Sequence, residues 1–301
     1  MLHPPRHFLY LDAVARTGSI RKAAEKLHVA STAVNRKILE IEEDIGTPLF
    51  ERLPRGVRLT AAGEVLLATV RRSMSDLRSA ASQIEQLRGL VRGTVRIGCA
   101  ESVATDFMPG AIAHYQQQHP GVQFRIATGV TGHLLTRLHA DDVEIVLVHD
   151  PLPSPALRVV SAIAQPLCVM LRPDHPLAGR KTLRLADCAK YPVALGDESF
   201  GSRRMLDGAL ARSRIALNVV LEASSVQPLK EFTLQTGALS FQFQIGTLNE
   251  VRRGALVSIP LSDRALSAGQ LMLAVREGRT LPIATLSFME ALVGRLASLG
   301  D

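Results

Sequence analysis

The sequence predicts an α/β chain with an all-α-rich N-terminal third, and three observations carry that expectation. Apolar residues recur at helical spacing up to about residue 86. Beyond Gly93 the pattern becomes short β-type runs alternating with helical stretches. The charge divides at the same place: Lys and Arg outnumber Asp and Glu by 15 to 10 in residues 1–93 and by 20 to 18 in residues 94–301, so the first third holds +5 of the net +7. A basic excess confined to one small unit is the footprint of a phosphate-binding surface.

Composition sets the outer limits. At 301 residues, 47% hydrophobic and 21% charged, the chain is globular and long enough for two domains. No run approaches the roughly 18–20 apolar residues of a membrane span, and the first twenty residues lack the order of a signal peptide. Cys99, Cys168 and Cys188 are odd in number and widely spaced, which argues against a disulfide framework and against CxxC-type metal or redox chemistry. The expected compartment is the cytoplasm.

The first element is a helix in which Phe8, Leu11, Val14 and Ala15 share a face and which Gly18 stops. Ser19 caps a second, whose Ala23, Ala24 and Leu27 form a narrow face that another helix can approach closely. After the turn His28-Val29-Ala30, a third helix places Val34, Ile38, Ile41 and Ile45 on one stripe, with Ser31, Thr32, Asn35 and Arg36 on the arc beside it. Helix, short turn and a helix with small polar residues in its first turns make a helix-turn-helix. Such residues suit the major groove, where Asn pairs with the N6/N7 edge of adenine and Arg with guanine. Residues 49–60 then read as strand, turn and strand, with Pro54 and Gly56 in the turn. Arg52, Arg55 and Arg58 make this hairpin a wing that can lie along phosphates or enter the minor groove.

Thr60 can cap the next helix, in which Val70, Met74, Leu77, Ala81 and Ile84 step by four and three. That seam is expected to pair with a copy of itself.

These segments closely resemble the LysR-type transcriptional regulators. The resemblance runs without a gap from Phe8 to Leu67 and rests on T-G-S, A-A-x-x-L, G-x-P-L-F-x-R and L-T-x-A-G taken together. It implies a winged helix-turn-helix (1–60), a dimerising linker helix (61–91) and an inducer-binding domain built like periplasmic binding proteins (92–301). It also implies homotetramers, dimers of dimers, on double-stranded DNA at interrupted palindromes near promoters. Two departures stand out. Relatives commonly read S-Q-x-A-V-S where this chain has A-S-T-A-V-N. Ala30 replaces the usual serine cap, so that cap is missing or falls to Ser31, and Asn35 replaces a serine, so the family's base preference does not transfer.

In the remaining two thirds, strands are expected at Val95–Cys99, Val122–Ala127, Glu144–Val148, Leu167–Leu171, Val193–Leu195, Val219–Leu221, Ala238–Phe241 and Leu271–Val275. Helices fall around 107–118, 133–140, 203–212, 226–236 and 283–298. The alternation predicts mostly parallel sheets in two sub-domains, 92–163 with 266–301, and 164–265. Ligands sit beyond the carboxyl ends of strands in such sheets. The loops there offer Glu101, Ser102, Thr131, Ser199, Phe200 and Ser202, suited to a small anion or polar group such as an organic acid. By resemblance, Ser102, Thr131 and the Ser199–Phe200 loop match inducer-binding positions. G-A-L-S-F-Q-F (237–243) stands where relatives often have G-x-G-I-x-x-x-P.

Catalytic motifs are missing from the sequence. G-D-E-S-F-G at 196–201 is not a nucleophile elbow, and neither a P-loop nor H-E-x-x-H occurs. His114, His119, His133, His139 and His149 lack metal-ligand spacing and read as ordinary surface or core residues. Cys99 and Cys188 read as small buried hydrophobes rather than a redox pair. The expectation is a cytoplasmic, inducer-responsive, DNA-binding regulator that catalyses nothing and needs no cofactor or metal. The competing expectation is a small-molecule binding protein or hydrolase with an incidental helical N-terminus.

Overall fold

A computed structural model of the chain describes residues 4–87 and 91–300. Two compact units emerge: Met1–Leu90 with Thr280–Ile283, and Val91–Arg279 with Ala284–Asp301.

The first unit opens with α1 (Arg6–Thr17), α2 (Ile20–Leu27) and α3 (Ser31–Ile45). Gly18 ends α1 in the left-handed conformation, and the Ser19 side chain accepts from the Lys22 N–H to start α2. Leu11, Val14, Ala23, Ala24, Val34 and Ile38 meet in one core, the small alanines letting the helices approach. The stripe on α3 is shorter than its sequence period: Val34 and Ile38 are buried and Ile41 packs against the core, but Ile45 is 46% exposed.

Strands β1 (Phe50–Leu53) and β2 (Gly56–Leu59) pair antiparallel around the turn at Pro54-Arg55. Gly56 has φ +123°, and a Cβ there would lie 2.2 Å from the Gly18 carbonyl oxygen. At Gly63 a Cβ would meet the Leu49 carbonyl oxygen at 2.1 Å, so the T-A-A-G turn must lack a side chain to close on the hairpin.

Helix α4 (Ala61–Gln86) starts at Thr60, whose hydroxyl accepts from the Gly63 N–H at 3.0 Å. The apolar seam divides along the helix. Val70 and Met74 are buried in this chain's own core beside α1, where Arg71 also binds Asp12 at 2.7 Å. Among the described residues of this segment, Val65, Ile84 and Leu87 are the exposed large apolar side chains.

The second unit contains two five-stranded sheets. The first lobe comprises β3 (Gly93–Cys99), α5 (Glu101–Asp106), α6 (Met108–Gln118), β4 (Val122–Thr128), α7 (Thr131–His139), β5 (Ile145–His149) and β6 (Leu157–Ala164). The second comprises β7 (Leu167–Leu171), α8 (Leu185–Cys188), β8 (Pro192–Gly196), α9 (Gly201–Leu210), β9 (Asn218–Ala223), α10 (Val226–Thr236), β10 (Leu239–Phe243), α11 (Leu248–Arg252) and β11 (Val257–Pro260). After α12 (Arg264–Ser267) the chain returns to the first sheet as β12 (Gln270–Arg276) and ends in α13 (Ile283–Gly300).

The sheets are mixed rather than mostly parallel. The first runs β4-β3-β5-β12-β6, with β3 parallel to β4 and β5 and β12 antiparallel to both its neighbours. The second runs β11-β7-β10-β8-β9, with β7 antiparallel to β10 and β11 and the other pairings parallel. A strand that crosses between lobes enters the next sheet reversed, and β7 and β12 are those strands. The carboxyl ends of the parallel strands still converge on one cleft. Among the described residues, no helix is long and apolar enough to cross a membrane.

Candidate functional site

Two polar regions stand out, one in each unit. In the first unit, α3 begins without a side-chain cap, because Ala30 occupies that position with φ −67° and ψ 139°; Ser31 does not take over the role. Ser31, Thr32 and Arg36 are exposed and Asn35 is half-buried. Arg36 lies 3.6 Å from Glu40 on the same helix.

The hairpin register decides where its arginines point. Arg52 is opposite Val57 and Phe50 opposite Leu59, so these four share the face turned toward the core and α3. From that face Arg52 donates through Nη2 to Asn35 Oδ1 at 3.0 Å. Arg58 and its cross-strand partner Glu51 are on the other face, joined at 2.7 Å, and the Glu51 carboxylate raises the Arg58 pKa above its usual value. Arg55 is exposed at the turn. The three wing arginines, alike in sequence, therefore occupy different places: one against α3, one at the tip, one on the far face. Glu42 fixes the hairpin to α3, its Oε1 accepting from the N–H groups of Leu49 (2.7 Å) and Phe50 (3.0 Å).

In the second unit, the starts of α5, α7, α9 and α10 surround a cavity of about 280 Å³. Glu101, Ser102, Thr131, Ser199, Phe200 and Ser202 all line it. Their polar groups are not equally available. Glu101 Oε1 accepts from the Ser225 hydroxyl at 2.6 Å and the Val226 N–H at 3.1 Å, tying the lobes across the cleft. Thr131 donates its hydroxyl to the His149 carbonyl at 3.1 Å, and Ser199 gives both N–H and hydroxyl to Asp197. Ser102 and Ser202 are buried and come from opposite lobes.

Sequence reasoning missed the cavity's inner wall, His149, Gln242 and Phe243. The His149 ring stacks on Phe243 with centroids 3.8 Å apart, and its Nε2 lies 3.5 Å from Ser102 Oγ. Burial pushes its pKa down to about 3, partly offset by the Gln270 carbonyl, so the ring is neutral at physiological pH. Gln242 is 2% exposed, and its Nε2 has no partner among the described residues. A signal for His149 existed: it ends β5, a strand whose carboxyl end opens on the cleft. Gln242 lies inside the divergent G-A-L-S-F-Q-F run. Among the described residues no Arg or Lys lines the cavity, so a bound anion would be held there by hydroxyls and the N–H groups of helix starts.

The other chemistry-bearing residues sit differently. Cys99 and Cys188 are fully buried free thiols whose pKa values burial pushes up to about 12, which keeps them protonated. Among the described residues, no cluster of His, Cys, Asp and Glu could hold a metal ion.

Comparison with known proteins agrees with this layout. Residues 5–64 match the family model described as bacterial regulatory helix-turn-helix protein, lysR family, and residues 88–297 match the LysR substrate binding domain. The SDS degradation transcriptional activation protein of Pseudomonas sp. (strain ATCC 19151) is 32% identical over 281 residues, 92% of this chain and 90% of that protein. Full-length OxyR from Pseudomonas aeruginosa superposes with a TM-score of 0.70 at 18% identity, covering 98% of this chain and 95% of that one. Full-length CbnR, solved in complex with its target DNA, gives a TM-score of 0.62 at 19% identity over 97% and 99% of the two chains.

Proposed function

This chain belongs to the LysR family of DNA-binding transcriptional regulators, and from that premise we propose how its residues divide the work. Ser31, Thr32, Asn35 and Arg36 enter the major groove, while Arg52, Arg55 and Arg58 form the basic wing beside them. Arg55 takes the phosphate backbone or minor groove. Glu101, Ser102, Thr131, Ser199, Phe200 and Ser202 surround the inducer, with His149, Gln242 and Phe243 as the inner wall. The inducer is a small polar or anionic molecule that fits about 280 Å³.

The observation that carries this reading is the hydrogen bond from Arg52 to Asn35, which makes hairpin and helix one polar, basic face. That CbnR, alike in fold, was solved with its target DNA supports the same reading. Residues 1–60 act as the DNA-binding domain, 61–91 as the linker and 92–301 as the inducer domain, divided into 92–163 with 266–301 and 164–265. Exposed Val65, Ile84 and Leu87 support pairing of α4 with a second copy, and two such dimers form the tetramer. The protein works in the cytoplasm and catalyses nothing. Inducer binding shifts the inducer domain between two states that hold the DNA-binding heads at different spacings, which requires unequal affinity for the two.

The test is binding of the full-length protein to duplex DNA from upstream of its own gene across a salt series. Specific binding that weakens steeply with salt supports the reading; absent or salt-insensitive binding sinks it.

A further inference from the structure

The Asn35–Arg52 contact also bears on which base is read. A guanidinium carries only N–H donors, so the Asn35 atom facing Arg52 is its oxygen, and the amide nitrogen is the group left over. An unencumbered asparagine reads adenine with both ends, its oxygen accepting from N6–H and its nitrogen donating to N7. Here Arg52 takes one of the oxygen's two lone pairs and leaves the other beside its own N–H groups, so the front that Asn35 and Arg52 present together is donor-rich.

The contact is held by the fold. Arg52 shares the inner face of the hairpin with Phe50, and Glu42 pins the strand to α3 through the Leu49 and Phe50 N–H groups. In the major groove guanine offers two acceptors, O6 and N7, and no donor, whereas adenine offers one of each. A donor-rich front fits guanine and crowds the adenine N6–H₂ with the Arg52 donors.

We propose that Asn35 and Arg52 form a composite donor-rich reader that selects guanine over adenine at one position of each half-site, with Arg52 positioning Asn35. This rests on the assignment of α3 and the hairpin to DNA.

The experiment enriches a randomised duplex library with the full-length wild type, Arg52→Met, Arg52→Lys and Asn35→Ala, each checked by thermal melting. The position Asn35 reads is the one that Asn35→Ala flattens. Wild type should enrich guanine there. Arg52→Met should bind more weakly overall yet move that position toward adenine, changing the guanine-to-adenine ratio about tenfold. Arg52→Lys, which keeps a donor beside Asn35, should retain guanine. Adenine in the wild-type profile, or guanine undiminished in Arg52→Met, overturns the proposal, as does an Asn35→Ala profile that flattens nowhere. Failure of the wild type to enrich any sequence is a distinct result, which overturns the DNA-binding reading along with it.

Discussion

Lys230 in α10 and Asp106 at the end of α5 form an ion pair at 2.7 Å, with no side-chain surface of either exposed. Glu250 reaches the same ammonium at 2.8 Å, and the Asn249 N–H donates to the second Asp106 oxygen at 3.1 Å. Since α5 belongs to one lobe and α10 and α11 to the other, this network fastens the lobes together beneath the cleft. Burial raises the Asp106 pKa, and the hydrogen bonds from Lys230 and Asn249 counter it. The desolvation cost of such a group is several kcal/mol, so the carboxylates depend on the ammonium.

Replacing Lys230 with Met should therefore cost about 3–5 kcal/mol, read as a lower urea midpoint, because Asp106 loses its buried counter-charge. Adding Asp106→Asn should recover part of that loss. A single-variant loss below about 1 kcal/mol would show the pair to be dispensable.

The inner wall gives a pH prediction. An unfolded chain protonates His149 as pH falls through the ordinary 6.5, whereas the folded site takes up that proton only near 3. The unfolded state binds more protons in that window, so this residue removes stability as pH drops, by at most about 1.4 kcal/mol per unit. Urea titrations of wild type and His149→Gln between pH 7 and 4 share all other groups, so the difference between them reports this residue. The wild type should lose stability more steeply; parallel curves would mean that His149 titrates normally.

Gln242 should behave as a residue kept for a ligand rather than for folding. Its buried Nε2 has no partner among the described residues, and an unsatisfied buried group costs about 1–3 kcal/mol. Gln242→Leu should leave the melting temperature unchanged or higher. It should also abolish the shift given by any compound found in a thermal-shift screen of organic acids, amino acids and aromatics. A variant that melts lower yet retains the shift would contradict this role.

Much of the first unit was legible in the sequence because its signals are local. Gly18, Ser19 and Thr60 mark helix ends by caps, and Pro54 and Gly56 mark the turn within a few residues of the elements they bound. Pairings across the fold were not legible. Nothing local tells that Val70 and Met74 turn inward while Ile84 stays out, or that Arg52 meets Asn35, seventeen positions away. Strand β6 escaped because it is a half-exposed edge strand carrying Arg158 and Ser161, and β11 because it is short and ends in Pro260. The six expected residues of the cavity followed from the strand-end rule, four of them in the first turns of α5, α7 and α9. Gln242 did not, since only the closing of both lobes turns a strand residue into a wall.

Glu42 offers a check on the hairpin's anchorage. Glu42→Ala removes the acceptor for two N–H groups, and hydrogen bonds to charged groups are worth about 1.5–3 kcal/mol each in sheltered settings. The partly exposed site places the loss near the lower end, about 1–2 kcal/mol by denaturant. DNA affinity should fall by more than that loss of stability explains, because Arg52 and Arg55 lose their fixed places. Unchanged affinity would separate the hairpin from DNA binding.

The central claim is tested most directly by the salt dependence of DNA affinity, measured by fluorescence anisotropy on one duplex for wild type, Arg55→Ala and Arg58→Ala. Log affinity should fall linearly with log salt for the wild type, and Arg55→Ala should lower that slope by about 0.9, the share of one phosphate contact. Arg58→Ala should change it less, since Arg58 is already paired with Glu51. A wild-type slope near zero, or one that Arg55→Ala leaves untouched, would contradict the placing of this hairpin on DNA.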